Sequence, residues 1–358
     1  MSYSLALGPF HPAWRGPQRL ILRVDGERIA DLEYRDGYNE RGIADRLARL
    51  DLPQALYLAS RVCGTCSFAH SLAFCQAIES LCGLEVGERA AMLRVAAAEL
   101  ERIGSHLLAA AMLLESLGLE QAGGRLRALR EQGLGLMARV SGARLAPDLC
   151  VPGGVRRNLA ASDREEVLIA VPKLNRGLYA LIESLIDQRS LLARAVNVGA
   201  LPKTAAEQYG VRGPLARASG IARDLRADHP YAAYNSLPFR VITQDGGDIY
   251  ARLLVLLLEA FESVKLVELG LQNLPMGDWQ GEIPRKLQQG QASAATEGPR
   301  GLIRYTIESD GERLKQVRID APRQLDRLLA RTMLAGALLD NAVPIIASCD
   351  VCTACAEQ

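Results

Sequence analysis

The chain has 358 residues, 49% of them hydrophobic, with 42 Lys and Arg against 41 Asp and Glu and a formal net charge of +1. Such a composition supports a folded core and carries no mark of disorder, and so even a charge balance excludes a global basic field that would draw the chain to nucleic acid or anionic lipid. No charged segment with an apolar stretch and small-residue cleavage site opens the sequence. The longest apolar runs, such as Leu253 to Leu258, fall far short of the roughly 20 residues that cross a bilayer. The expectation is therefore a cytoplasmic protein with no transmembrane segment of its own, meeting a membrane only through other subunits.

Residues 19–34 alternate apolar and polar positions around Asp25-Gly26, a dipeptide suited to the positive φ angles of a tight hairpin turn. From 87 to 117 apolar residues recur at three and four spacing around Glu99-Leu100-Glu101-Arg102-Ile103-Gly104-Ser105-His106, which predicts a long helix. Ser162 to Glu165 reads as a capping box opening another helix toward Asn197, and 248–272 and 324–339 carry the same helical period. Stretches 146–158, 209–214 and 273–301, rich in Gly and Pro, read as connections. A second hairpin is expected over 302–319, turning at Asp310-Gly311 with Tyr305, Ile307, Val317 and Ile319 in alternation, and it could share a sheet with the first. The predicted class is mainly α with a small β portion (α+β), in one domain spanning 1–358. It comprises an N-terminal hairpin region (1–36), a helical body (37–300) and a C-terminal hairpin and helix (301–358).

Eight cysteines in a chain without an export signal favour metal binding over a disulfide framework, because the cytosol keeps thiols reduced. Cys63-Gly64-Thr65-Cys66 stands near the start, and Cys349-Asp350-Val351-Cys352-Thr353-Ala354-Cys355 near the end. One Cys-x-x-Cys is a weak signal. Two, separated by almost the whole chain, call for a fold that brings its ends together around one soft, four-thiolate site. Spacing alone leaves the metal open, with tetrathiolate zinc, unrelated thiols and a redox disulfide as alternatives, and leaves two registers for the second pair because Cys349 also forms a Cys-x-x-Cys with Cys352. Cys75, Cys82 and Cys150 are expected to be small packing residues.

Arg61-x-Cys63-Gly64-x-Cys66-x-x-x-His70 resembles the first metal-binding motif of [NiFe] hydrogenase large subunits, and Asp350-x-Cys352-x-x-Cys355 the second. Gly8-Pro9-Phe10-His11-Pro12, Gly37 to Ile43, Glu99 to His106, Asp224-Leu225-Arg226, Pro230-Tyr231, Gly247 to Arg252 and Glu297-Gly298-Pro299-Arg300-Gly301 are similar, in order, to the branch shared with the large quinone-site subunit of respiratory complex I. The resemblance covers essentially the full chain and points to the energy-converting, membrane-bound class. It implies reversible cleavage of dihydrogen at a nickel–iron centre whose iron carries cyanide and carbon monoxide. Cys63 and Cys352 would then be terminal nickel ligands, Cys66 and Cys355 would bridge the metals, and Cys349 would be an extra thiol. Cys352 or Cys355 would take the proton, Arg300 would orient substrate or bond a cyanide, and His70 would hydrogen-bond a bridging sulfur. Implied partners are an iron–sulfur small subunit, ferredoxin-like and membrane subunits, and maturation proteins, on the inner face of the cell membrane.

Three positions depart from the family pattern. Ala44 stands where relatives carry the glutamate thought to export protons, and Glu40, four residues earlier, is the expected substitute if one helical turn joins them. Val351 replaces a proline between Asp350 and Cys352. Ala321-Pro322-Arg323 stands where relatives place a hydroxyl residue after proline near the cyanides, so Pro322 and Arg323 are the candidates there. A metal-free or zinc-bound coupling subunit of a complex I-like assembly is the alternative reading.

Overall fold

The computed structural model describes residues 2–358. Strands β1 (Ser2–Leu7), β2 (Arg19–Asp25) and β3 (Arg28–Arg35) form an antiparallel sheet in that order. The hairpin turns where the sequence places it, and Leu20, Leu22 and Val24 oppose Tyr34, Leu32 and Ile29 on the buried face. β1 has no counterpart in the sequence pattern. Its residues are almost all exposed, so no apolar alternation marks it.

Helices α1 (Ile43–Arg49) and α2 (Leu52–Ala59) lead into α3 (Ser67–Cys82), α4 (Glu88–Ser116) and α5 (Glu120–Ser141). The predicted connection at 146–158 folds into a two-stranded hairpin, β4 (Cys150–Val151) and β5 (Gly154–Val155). Helix α6 (Ala161–Ile186) begins one residue before Ser162, and Ala160 at its cap makes no side-chain hydrogen bond, so the expected capping box is not formed. The helix does not run to Asn197 either: Gln188 N–H turns back tightly to Leu185 O, and a separate α7 (Arg189–Ala195) follows. Short helices α8 (Lys203–Gln208), α9 (Pro214–Arg217) and α10 (Leu225–Asp228) precede α11 (Ile249–Gln272), whose start is capped by Asp248 accepting from Ala251 N–H.

β6 (Gln289–Gly298), β7 (Gly301–Asp310) and β8 (Leu314–Asp320) make a second antiparallel sheet, separate from the first. β6 lies inside the stretch read as a connection. Gln-Gly-Gln-Ala-Ser-Ala-Ala-Thr-Glu-Gly contains no large branched or aromatic residue, so its pairing with β7 supplies the strand that its own composition does not announce. The predicted helix at 324–339 is shorter, α12 (Arg327–Leu334), capped by Asp326 and stopped before Gly336 at φ 81°. α13 (Ala342–Ser348) and α14 (Thr353–Ala356) end the chain.

α4 is buried almost all round, as a helix must be when neighbours cover every face; it packs on α5, α11 and α13. α3, with 13 of its 16 residues buried, lies on β6 and β7. α1 packs on β8 and α12 on β3, so each end of the chain is folded onto the other. Among the described residues no helix is long and apolar enough to cross a membrane.

Candidate metal centre

Cys63 and Cys66 occupy the turn that enters α3, Cys66 at its cap, while Cys352 caps α14 and Cys355 lies within it. Each thiol of one pair meets one of the other: Cys63 Sγ to Cys352 Sγ is 3.4 Å, Cys66 Sγ to Cys355 Sγ 3.5 Å, and Cys63 Sγ to Cys66 Sγ 3.6 Å. All four are buried. Cys63, Cys66 and Cys355 lie mutually within 4.8 Å, and Cys352 joins them through Cys63. Thiolates bonded to one soft cation at about 2.3 Å stand roughly 3.8 Å apart, so this donor set fits a thiolate-bound metal group. Cys349 turns away, its thiol against Met333 Sδ and Ile345 O.

The four neighbouring thiols cannot all ionise together on their own. Hydrogen bonds from Cys352, Cys355 and Cys66 hold the Cys63 thiol well below its usual range, and the same contacts, from Cys352, Cys63 and Cys66, push Cys355 well above it. A bound cation would relieve this, which is the electrostatic preference of such a site.

The ends are clamped by residues whose individual roles the sequence does not announce. Arg41 donates to Val62 O at 2.7 Å and to Ala354 O at 2.8 Å, tying the residue before Cys63 to the residue before Cys355. Arg15 ion-pairs with Asp350 and donates to Thr65 Oγ1 at 3.2 Å. Asn39 donates its N–H to Glu357 and its side-chain amide to Thr353. Asp350, at φ 51°, adopts the left-handed conformation that aims its carboxylate at Arg15 and Arg300.

Arg300, in the β6–β7 turn, donates to Cys66 Sγ at 2.7 Å and to Asp350 O at 2.9 Å. Burial opposes its charge, but electrostatic attraction to Cys66, Cys352, Cys63 and Cys355 outweighs that and raises its pKa. The turn is held from behind: Arg102 donates to Glu297 O and Gly298 O, and also meets Glu99. Glu99 pairs with Arg226, Arg226 with Asp224, and Arg217 with Asp224, Glu259 and Glu297. His106, on the same helix as Arg102, bonds Glu259 at 2.9 Å and is depressed to about 4 mainly by burial. The scattered polar segments of the sequence are therefore one buried ion-pair network whose product is the position of Arg300.

His70 is fully buried, and its Nδ1 shares a hydrogen bond of 3.0 Å with Tyr305 OH. Its Nε2 has no hydrogen-bond partner among the described residues, so the expected bond to a bridging sulfur is not made; burial lowers its pKa to about 4. Glu40 is exposed and lies outside α1, which begins at Ile43, so no helical turn joins it to Ala44. Pro322 is buried, but Arg323 points outward to Asp36 at 3.7 Å, both side chains well exposed. The next residue turns inward instead: buried Gln324 donates to Arg300 O at 2.7 Å.

One further carboxylate sits against the cluster's turn. Glu101 accepts from Ser67 Oγ (2.9 Å), Phe68 N–H (2.7 Å) and Ala69 N–H (2.9 Å), capping α3 from outside. Burial outweighs those bonds and pushes its pKa up to about 7. In the sequence Glu101 shows only as a charge inside an apolar helix, which is the signal that could have singled it out.

The fold has counterparts among subunits of hydrogenase and respiratory complexes. Residues 125–287 match the profile described as "Respiratory-chain NADH dehydrogenase, 49 Kd subunit". The chain is 34% identical over 98% of its length to formate hydrogenlyase subunit 5 of Escherichia coli, spanning 62% of that relative. It is 31% identical over its whole length to the carbon monoxide-induced hydrogenase of Rhodospirillum rubrum, covering 99% of it. It is 33% identical over 96% of its length to an NADH-quinone oxidoreductase subunit of Herpetosiphon aurantiacus, covering 95% of it. Among solved structures, a chain of the membrane-bound sulfane sulfur reductase, an archaeal respiratory membrane complex, superposes with a TM-score of 0.93 at 28% identity, covering 100% of this chain and 98% of that one. The chain belongs to the family that unites energy-converting hydrogenase large subunits with the 49 kDa subunit of complex I.

Proposed function

We propose that this chain is the catalytic large subunit of an energy-converting [NiFe] hydrogenase, interconverting dihydrogen with two protons and two electrons. The supporting observation is the pairing of Cys63 with Cys352 and Cys66 with Cys355 in a buried cluster contacted by Arg300. These four cysteines would hold nickel and an iron carrying cyanide and carbon monoxide. That group supplies the electron-pair acceptor that dihydrogen, nonpolar and very weakly acidic, needs for heterolysis.

The chain's own residues do the rest. A cluster thiolate, Cys352 or Cys355, takes the proton. Arg300 keeps a fixed positive fork on Cys66, and its rigid planar donors suit a small anionic ligand better than a mobile ammonium does. Burial of the sulfurs excludes competing water. His70, Pro322 and Gln324 shape the surroundings, and Arg323 lies at the surface. Electrons would leave through an iron–sulfur small subunit. Ferredoxin-like and membrane subunits would complete the complex at the inner face of the membrane, after maturation proteins insert the metals.

The test is dihydrogen-dependent dye reduction by the purified complex, with nickel measured on the same sample. Cys63→Ser and Cys352→Ser should each lose nickel and activity together; activity retained in either would refute the assignment. A second reading, a coupling subunit without this centre, is favoured by the likeness to the NADH-quinone oxidoreductase relative and to the sulfane sulfur reductase. Wild-type complex free of nickel would support it.

A further inference from the structure

Heterolysis needs a proton route out of a buried site, and Glu40, the candidate carboxylate read from the sequence, is exposed and lies outside α1. Another carboxylate, Glu101, lies against the cluster's first turn. Cys63 Sγ lies 3.5 Å from Thr65 Oγ1, besides its contacts to Cys352 and Cys66. Thr65 lines a cavity of about 20 Å³ together with Gly64, Ser67, Glu101 and Ser105. That volume holds one water, for which about 10–15 Å³ suffices. Arg144 and Leu145, both exposed, line the same cavity at its outer end. Glu101, itself buried, meets the cluster's turn at Phe68 N–H and shares the cavity wall with exposed Arg144.

We propose that Glu101 is the proton-relay group of this centre, exchanging protons between Cys63 and solvent through Thr65 and a single cavity water. The proposal rests on the hydrogenase reading above. In the outward direction the proton taken by Cys352 passes to Cys63, whose sulfur lies 3.4 Å away, and the S–H bond of Cys63 then breaks as Thr65 Oγ1 gains that hydrogen and gives its own to the water. The water passes one hydrogen to a Glu101 oxygen, and the carboxylic acid then releases it at the Arg144 end. One proton moves, every hydroxyl is restored, and no electron changes place. Arg15, donating to Thr65 Oγ1, occupies an acceptor site there and leaves the hydroxyl hydrogen to be passed on.

The charged groups around Glu101 agree with this role. Arg130 of α5 and Arg144 line the cavity, Arg15 bonds Thr65, Arg300 reaches Ser105 at 3.4 Å, and Cys63 is the nearby anion that adds to the effect of burial. The plain alternative is that Glu101 only caps α3. Glu101→Gln separates the two, because its amide oxygen still accepts from the helix N–H groups while it cannot carry a proton. Thr65→Val breaks the same route without touching the cap.

The experiment measures isotope exchange between dihydrogen and solvent protons in the intact complex across pH, with nickel content alongside. Glu101→Gln and Thr65→Val should each keep nickel and lose roughly 100-fold in exchange, the scale of a positioned proton-transfer group. Glu101→Asp should restore part of the rate with a displaced pH profile. Infrared titration of the metal-free chain should show a carboxylic-acid band that deprotonates near neutrality and is absent from Glu101→Gln. Wild-type exchange rates in both Glu101→Gln and Thr65→Val, or loss confined to Glu40→Gln, would overturn the relay. A wild-type complex with neither nickel nor exchange would instead overturn the hydrogenase reading, and the relay with it.

Discussion

Arg300 shows what a single side chain does at this centre. It contacts Cys66 and Asp350 at once, and only a fork of donors reaches both. Arg300→Lys keeps the charge and loses the fork. Dihydrogen oxidation should fall by about 10²–10³, the cost of removing one preorganised donor, with nickel content maintained. Full activity in Arg300→Lys would show that charge alone suffices. The meeting of two cysteine pairs was legible in their spacing, and the choice of Arg300 and of the Cys352 and Cys355 register in the family resemblance of their motifs. Arg15 and Arg41 were not, since an arginine that bonds groups far away along the chain leaves no local pattern. Arg323 misled for a related reason: nothing local marks which of two neighbouring loop residues faces inward, and Gln324, not Arg323, does.

Elements place those side chains. The β6–β7 turn carries Arg300, and Arg102 of α4 holds its Glu297 and Gly298 carbonyls. Arg102→Met would leave Glu99 with one fewer cation and free both carbonyls. A loss of about 3–5 kcal/mol follows from breaking a buried pair on one side, to be read by denaturant unfolding, with activity lost even where the protein stays folded. A stability equal to wild type would mean that Arg226 alone neutralises Glu99. The long helices and both hairpins were visible because their periods and Asp-Gly turns are local. β1 and β6 were hidden by exposure and by small side chains, and the capping box failed because the helix already starts at Ala161, with Ala160 rather than Ser162 at its cap.

At the scale of the whole molecule, folding the two termini together buries groups whose protonation then couples to stability. His70 and His106 both titrate near 4 in the folded chain, below the ordinary 6.5. The unfolded state therefore binds more protons between those values, and their contribution, complete above pH 6.5, is lost as pH falls toward 4. Glu101 has the opposite sign. Its pKa is raised from 4.5 to about 7, so its contribution is complete below 4.5 and is lost as pH rises through 7. Unfolding midpoints at pH 5 and pH 7.5 should show Glu101→Gln gaining relative to wild type on the alkaline side only; an equal difference at both values would contradict the buried, proton-holding carboxyl.

The central claim is that the joined ends hold nickel and iron, and infrared spectroscopy of the complex, purified after expression with its maturation proteins, tests it most directly. One metal carbonyl band and two cyanide bands, with about one nickel per chain, are expected from a site of four cysteine thiolates bearing such an iron. Bands absent from a folded complex, with zinc or no metal in their place, would contradict it and leave the coupling-subunit reading standing.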